Sequence, residues 1–445
     1  MNKKETAKVI RQLTAIAAMA SPMTAAMATN GMLMEGYGPI STGMGGAAQS
    51  FDNGTGAMAQ NPATLALMPD GSHLDLALGF LGPKVTSSVP GMSVSSGGTL
   101  YTMPALGYTK RTGALTYGAG VFAQGGMGTE YEATSFMAMG SGDPVRSELG
   151  VGNVIIPLAY QVNPDVTIGA TVDFIWAGLD MLMAAAPASA LASMVTGASG
   201  GIAGALGGLA ASPGAPWARI NFSDNNKFTG AAKATGFGAK IGATFNVSRE
   251  WRVGASYRFK SMLDDMKTST SAASMTAPGF VDNGSISVID FQMPAVLAVG
   301  ASWQAQPSLL FAADIKSIGW AEVMKSFKMR YDSAGMGGSV NFELPQNWKD
   351  QTVLNLGVAW KANEQVTLRA GLNVADNPIP DTTVNPLFPA VVKNHVTFGL
   401  GYKFSTAGDF NASLTMAPAT TVTSSAGVTI SHEQTNLQLM YSHSF

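Results

Sequence analysis

The chain has 445 residues, of which only 12% are charged and 52 are glycine, and its formal net charge is −2. Soluble domains usually carry about 25% charged residues and about 7% glycine, so this is not the composition of an ordinary soluble globule. A near-neutral chain also lacks the electrostatic footprint of a nucleic-acid binder. Cysteine is absent, which excludes disulfides and thiolate metal sites. The four histidines (His73, His395, His432 and His443) lie far apart in sequence, and no metal or cofactor is expected.

Residues 1–28 read as a secretory signal peptide. Lys3, Lys4, Lys8 and Arg11 form a positive start, Leu13 to Met19 a short apolar stretch, and Ala26-Met27-Ala28 an A-x-A cleavage pattern. Residues 29–71 are rich in glycine and small residues and do not read as strands. The apolar run from Ala57 to Met68, interrupted by Gln60-Asn61-Pro62, argues against a disordered tail.

From residue 72 to 445 a unit recurs in which an aromatic ends one strand, a polar turn follows and a new alternating strand begins. It starts at Tyr108, Tyr160, Phe245, Trp303, Trp360 and Tyr402. Asn, Pro, Ser, Gly and Asp in these turns suit tight hairpins. The intervening connections are much longer, near 81–98, 125–150, 180–228, 264–285, 332–349, 378–393 and 417–430. Short turns at one end and long loops at the other are the asymmetry of outer-membrane barrels, with the short turns periplasmic. Six turns and seven loops predict an all-β fold: a transmembrane antiparallel β-barrel of about 14 strands. Such a barrel leaves a lumen that wall side chains do not fill, and the segment 29–71 is the natural plug for it.

The connection 181–218 runs 38 residues without a charge. Its prolines and glycines make a poor spanning helix, so it reads as two short apolar helices or turns forming a greasy extracellular groove. An exposed apolar patch of this kind suits ligand capture; the candidate contacts are Leu191, Met194, Val195, Ile202 and Leu206. The last strand, Thr435 to Phe445, alternates between an apolar and aromatic face and a polar one. Alternation alone leaves open whether the apolar face looks to a core or to lipid. The terminal Phe445 is typical of outer-membrane barrels.

Four blocks resemble the outer-membrane hydrophobic-compound transporter family, which includes the long-chain fatty acid transporter and the toluene-uptake porins. They are Gly36 to Ala63, with Asp52 and the Asn61-Pro62-Ala63 motif; Gly118 to Tyr131; Phe291 to Trp320; and Trp348 to Pro380. The resemblance covers nearly all of the mature chain. It implies that extracellular loops catch a hydrophobic ligand, which enters an apolar pocket in the barrel. Movement of the plug then releases it sideways into the membrane through a gap at Ala123-Gln124-Gly125-Gly126. Consecutive glycines there are compatible with a bulge or a break in pairing; the plainer alternative is the start of an extracellular loop.

Where fatty-acid transporters of this family carry an arginine near the ligand carboxylate, this chain has Gly178. A second basic position, Lys349, is retained as a possible head-group contact. Burying one CH₂ contributes ~0.8 kcal/mol and a charge-assisted hydrogen bond ~1.5–3 kcal/mol, so the missing arginine leaves the hydrophobic-ligand reading intact while opening it to neutral hydrocarbons. The expected partners are a hydrophobic small molecule and outer-membrane lipid, with the barrel monomeric. The rival readings are a polar-solute porin, which would want charged rows along a wet channel, and a structural or adhesive barrel. An enzyme is not expected, since no nucleophile elbow or acid/base constellation is visible.

Overall fold

The computed structural model describes residues 30–211, 215–226 and 229–445; the expected signal peptide lies outside the described residues. One antiparallel sheet dominates. Its first twelve strands are β1 (Gly71–Val89), β2 (Met92–Ser95), β3 (Tyr101–Thr112), β4 (Leu115–Tyr131), β5 (Val145–Gln161), β6 (Val166–Ala185), β7 (Val195–Ser199), β8 (Ala218–Phe222), β9 (Ala232–Asn246), β10 (Trp251–Arg258), β11 (Met262–Leu263) and β12 (Met266–Lys267). The remainder are β13 (Ala273–Ala277), β14 (Phe280–Ile289), β15 (Val296–Gln306), β16 (Leu309–Ile318), β17 (Ser326–Ser333), β18 (Ser339–Pro345), β19 (Gln351–Lys361), β20 (Val366–Ala375), β21 (His395–Lys403), β22 (Gly408–Thr423) and β23 (Thr429–Ser444).

Pairing runs β1–β3–β4–β5–β6–β9–β10–β15–β16–β19–β20–β21–β22–β23 and closes as β23 pairs with β1, from His73↔Ser444 to Ser88↔Thr429. The wall is therefore a closed antiparallel barrel without a free edge, as a chain that crosses lipid on strands requires. No helix among the described residues is long and apolar enough to cross a membrane.

The expected count of about 14 strands is too low for the sheet, which holds 23. The difference comes from the long connections, which were read as loops. β8 pairs with the far end of β6, β13 with β8 and β14, and β14 with β17; β17 pairs with β18 and β18 with β7. Once the wall is in place its exposed strand ends offer free N–H and C=O groups, and these segments continue the ladder. The connection expected at 125–150 shrinks for the same reason, since β4 runs to Tyr131 and β5 starts at Val145.

Side-chain direction settles the alternation that sequence left open. On β6, Ile168, Val172 and Phe174 are exposed, while Thr167, Thr171 and Asp173 are buried. On β23, Leu437 and Tyr441 face out and Asn436 and Gln438 face in. Apolar residues outside and polar residues inside reverse the order of a soluble sandwich and match a membrane barrel. Tyr108, Tyr160, Phe245, Trp251, Trp303 and Tyr402 are exposed near the short turns, with Trp251 stacked on Trp303 at 5.6 Å. They form an aromatic girdle at that end.

The N-terminal residues 30–70 are almost wholly buried. Their partners come from opposite sides of the ring: Asp75 accepts from the Thr55 amide at 2.8 Å, the Thr167 hydroxyl donates to Ala63 at 3.0 Å, and the Ser302 hydroxyl donates to Ser50 at 3.1 Å. Asp314 accepts from the amides of Ala48 and Gln49, and the Thr397 hydroxyl accepts from Gly45. A segment hydrogen-bonded to β1, β6, β15, β16 and β21 together occupies the interior of the ring.

Candidate functional site: a window in the barrel wall

β3 and β4 pair only from Thr112↔Leu115 to Leu106↔Val121. Beyond that point β3 continues against β1 alone and β4 against β5 alone. Above the gap the two sides meet again, where the Gly97 amide donates to Glu130 at 2.7 Å and the Glu130 amide to the Ser96 hydroxyl at 3.0 Å. Between these closures the wall has a window, roughly 25–30 Å long at ~3.3 Å per residue.

Local chemistry explains the break. Pro104 sits in β3 just past the last pair, and proline has no N–H to give to a ladder. On the other side, the register of β4 against β5 shifts between Ala123 and Gly125, so Gln124 is the extra residue of a bulge. The inner segment takes up the backbone groups that the bulge releases. The Tyr37 hydroxyl donates to the Gln124 carbonyl at 2.9 Å, the Gly126 amide donates to the Met32 carbonyl at 3.1 Å, and Leu33 bridges Gly125. A Cβ at Gly125 would sit on the Met32 carbonyl oxygen, which is why the closest approach falls at a glycine. Gly125 and Gly126 thus lie within a strand, not at the start of a loop.

A cavity of about 280 Å³ fills the window, lined by Tyr101, Met103 and Pro104 from β3, by Phe122 and Met127 from β4, and by Trp176. Inward of it lies a nearly closed apolar pocket of about 20 Å³, lined by Met32, Leu179, Met181, Met183, Phe291, Met324, Phe327 and Phe388. Met127 and Leu149 line both spaces. The partition is therefore two flexible or branched apolar side chains beside Met32. Methionines repack around ligands of different shape with little strain. Among the described residues no group of His, Asp or Glu could hold a metal ion, and the window cavity is lined mostly by apolar residues, with Glu148, His432 and Gln434 among them.

The other expected site residues divide into two sets. Asn61, Pro62 and Ala63 form a structural clamp: the Asn61 side chain caps the 3-10 turn Pro62–Leu67 by accepting from Ala63 at 3.1 Å. Its amide donates to Gln49 at 2.7 Å and to Ala243 of β9 at 3.3 Å. Asp52 accepts from the Gly54 amide at 2.9 Å at the short-turn end of the lumen, far along the chain from the window. Lys349 has an exposed side chain outside the apolar pocket, while its neighbour Trp348 is buried.

The 181–218 connection also differs from expectation. β6 continues to Ala185, and the connection then forms helices Ala188–Ala192 and Gly200–Ala211 with β7 between them. Leu191, Ile202 and Leu206 are buried in the main apolar cluster, and Met194 and Val195 pack against it half-buried. An open greasy groove is thus replaced by a covered lid, because apolar side chains that find partners across the barrel mouth do not stay in water. Gly178 has no room for any side chain, since a Cβ there would meet the Thr229 carbonyl. Sequence reading missed Met32, Tyr37, Pro104 and Met127; a proline inside an alternating strand was the signal available.

The family profile for outer membrane protein transport proteins (OMPP1/FadL/TodX) matches residues 15–444. The chain belongs to this family. Its members are Gram-negative outer-membrane β-barrels that transport hydrophobic compounds, and transport rather than catalysis is the family's activity. The toluene transporter TodX of P. putida superposes with a TM-score of 0.83 at 32% identity, covering 92% of this chain and 99% of that one. The toluene transporter TbuX of Ralstonia pickettii superposes with a TM-score of 0.77 at 30% identity and the same coverages. A Pseudomonas aeruginosa FadL homologue shares the fold at 15% identity, with a TM-score of 0.73 over 93% of this chain and 100% of that one. A curated Chlorobium limicola protein, described as an uncharacterized protein in a phosphoenolpyruvate carboxykinase gene 5' region, is 38% identical over 104 residues. That match spans 23% of this chain and half the length of the relative.

Proposed function

We propose that this outer-membrane protein takes up small neutral hydrophobic molecules, monoaromatic hydrocarbons foremost, and releases them sideways into the membrane through the β3–β4 window. The single observation that carries the reading is the sharing of Met127 and Leu149 between the inner apolar pocket and the window cavity. The pocket's lining of methionine and phenylalanine suits a planar apolar ligand once the side chains move apart, since the closed space of about 20 Å³ holds no more than about one water. The absence of space at Gly178 for an arginine weighs against a long-chain carboxylate, and two relatives near 30% identity are toluene transporters.

In this reading residues 29–71 are the plug. Met32, Leu33 and Tyr37 lie on the window itself, so a shift of the plug changes the window directly. The 181–218 connection delivers ligand from outside, with Leu191, Met194, Val195, Ile202 and Leu206 parting from the lid. The barrel acts as a monomer, since its route begins and ends within one ring.

The test is uptake of labelled toluene and labelled oleate by cells whose only hydrophobic-compound channel is this protein. Toluene uptake above an empty-vector control, with oleate uptake at control level, is expected. Replacing Gly125 and Gly126 together by valine sets a Cβ against the carbonyls of Met32 and Leu149, which distorts the bulge and the window beside it, and is expected to abolish toluene uptake while the barrel still folds. Unchanged uptake by that variant contradicts the lateral route. A large steady single-channel conductance contradicts a filled lumen and favours a polar-solute porin.

A further inference from the structure

At the short-turn end of the barrel, which faces the periplasm in outer-membrane barrels, lies a second cavity of about 430 Å³ that the hydrophobic route does not use. Its floor is apolar and belongs to the inner segment: Ile40, Met44 and Phe51. Its walls carry Arg252 on β10, Lys361 at the end of β19 and Arg369 on β20.

These three cations point into the lumen. Each lies an even number of residues from a position that touches the inner segment: Arg252 from Gly254, which faces Gln49; Lys361 from Gly357, which faces Met44; Arg369 from Gly371, which faces Gly45. A period of two puts them on that same inward face, so they are not lysines and arginines of the lipid headgroup belt. None of the three forms an ion pair among the described residues. Arg252 donates to the Asn246 side-chain carbonyl at 2.6 Å, and Arg369 to that of Asn411 at 3.0 Å. Arg249 and two acids, Asp52 and Glu250, complete the charged lining. Both acids are engaged locally, Asp52 by the Gly54 amide and Glu250 by the Ser248 hydroxyl; Asp52 also attracts Arg252, and Asp409, outside the lining, attracts Arg369. Cations exceed anions around a cavity with a greasy base.

We propose that this mouth is a binding site for a small amphipathic carboxylate, its head among the guanidinium groups of Arg252 and Arg369 and its apolar body on Met44 and Phe51. Guanidinium groups match a carboxylate's two oxygens in a way an ammonium does not. The ligand would touch wall and inner segment at once, so its binding favours the seated position of that segment. The site is independent of the lateral route and stands if that route fails.

The experiment uses the full mature chain in phosphatidylcholine nanodiscs, titrated calorimetrically with octanoate, octan-1-ol and inorganic phosphate. Octanoate is expected to bind at least about tenfold more tightly than either other probe, the factor that 1.4 kcal/mol represents. The double variant Arg252→Gln/Arg369→Gln is expected to lose that advantage, and Arg252→Lys/Arg369→Lys to recover it only in part. Phe51→Ala, which leaves every charge in place, is expected to weaken octanoate but not phosphate. Equal binding of octanoate and octanol, or octanoate affinity indifferent to the arginine pair, overturns the proposal. Phosphate binding as tight as octanoate overturns the amphipathic ligand.

Discussion

The carbonyl of Met32 accepts the amide of Gly126 at 3.1 Å, so the inner segment completes the hydrogen bonding of β4 where its pairing with β3 has stopped. The window and the N-terminal segment are therefore parts of one hydrogen-bonded unit. Tyr37 adds a second tie through Gln124 at 2.9 Å. Removing its hydroxyl by Tyr37→Phe leaves a buried carbonyl without its donor, which costs about 1–3 kcal/mol. Faster hydrogen exchange at the Gly126 amide is the expected result, read by mass spectrometry on the reconstituted protein. Unchanged exchange at Gly126 would show that Tyr37 does not hold the segment against the strand.

Asn61 fastens the same segment at the opposite end. Its side chain accepts one hydrogen bond and donates two, and only an amide can do both. Asn61→Ala is expected to cost about 0.5–2 kcal/mol, as loss of a helix cap does. Asn61→Asp keeps the acceptor for Ala63 but turns a carboxylate toward the carbonyls of Gln49 and Ala243, and is expected to be at least as harmful. Limited proteolysis after residue 60 checks both. An aspartate variant as resistant as the parent would assign the capping bond alone to the clamp.

Much of the wall was legible from residues alone. The six aromatic-turn units correspond to the hairpins β3–β4, β5–β6, β9–β10, β15–β16, β19–β20 and β21–β22, because a tight turn and the strands beside it are local. The outward direction of Leu437 and Tyr441 was not legible, since a two-residue period is the same for a sandwich and a barrel. Nor was the window: it exists only because β3 and β4 part after Leu106↔Val121, and which backbone groups remain unpaired depends on where the inner segment lies. Leu191, Ile202 and Leu206 looked exposed for a related reason. The helix Gly200–Ala211 packs on β18 and on the connection before it, where the Ile202 amide donates to Gly337, far away in sequence, and the helix Ala188–Ala192 packs on that helix, β8 and β6.

Gly178 gives a test of substrate class. An arginine introduced there to mimic a head-group contact has no space, because the Thr229 carbonyl already occupies the Cβ position. The neighbouring turn is itself held by Asp180, which accepts from the amides of Asp224 at 3.1 Å and Ala231 at 2.6 Å. Gly178→Arg is thus expected to dislodge residues 229–231, seen as new protease cleavage there, without any gain in oleate uptake. Oleate uptake acquired by this variant would show that the barrel tolerates a carboxylate ligand once a cation is supplied.

The interior ion pair between Lys240 and Asp173, at 2.5 Å with both side chains buried, links β9 to β6 beneath the inner segment. The Thr171 hydroxyl donates to the second Asp173 oxygen at 2.6 Å, which leaves the carboxylate well supplied while the lysine is present. Lys240→Met removes the hydrogen-bonded cation and leaves the buried Asp173 carboxylate to the weaker electrostatic pull of Arg258, and breaking a buried pair in this way costs up to about 3–5 kcal/mol. Replacing both partners, Lys240→Met with Asp173→Leu, removes the charge along with its counter-charge. The double variant is then expected to recover most of the loss, short of the parent by the unmet Thr171 hydroxyl. The temperature at which the folded, fast-migrating band converts to the unfolded one on a gel measures all three proteins. If the double variant melts as low as Lys240→Met alone, the pair is not the unit of stability, and the cost lies in the space left against β6 by the shorter methionine.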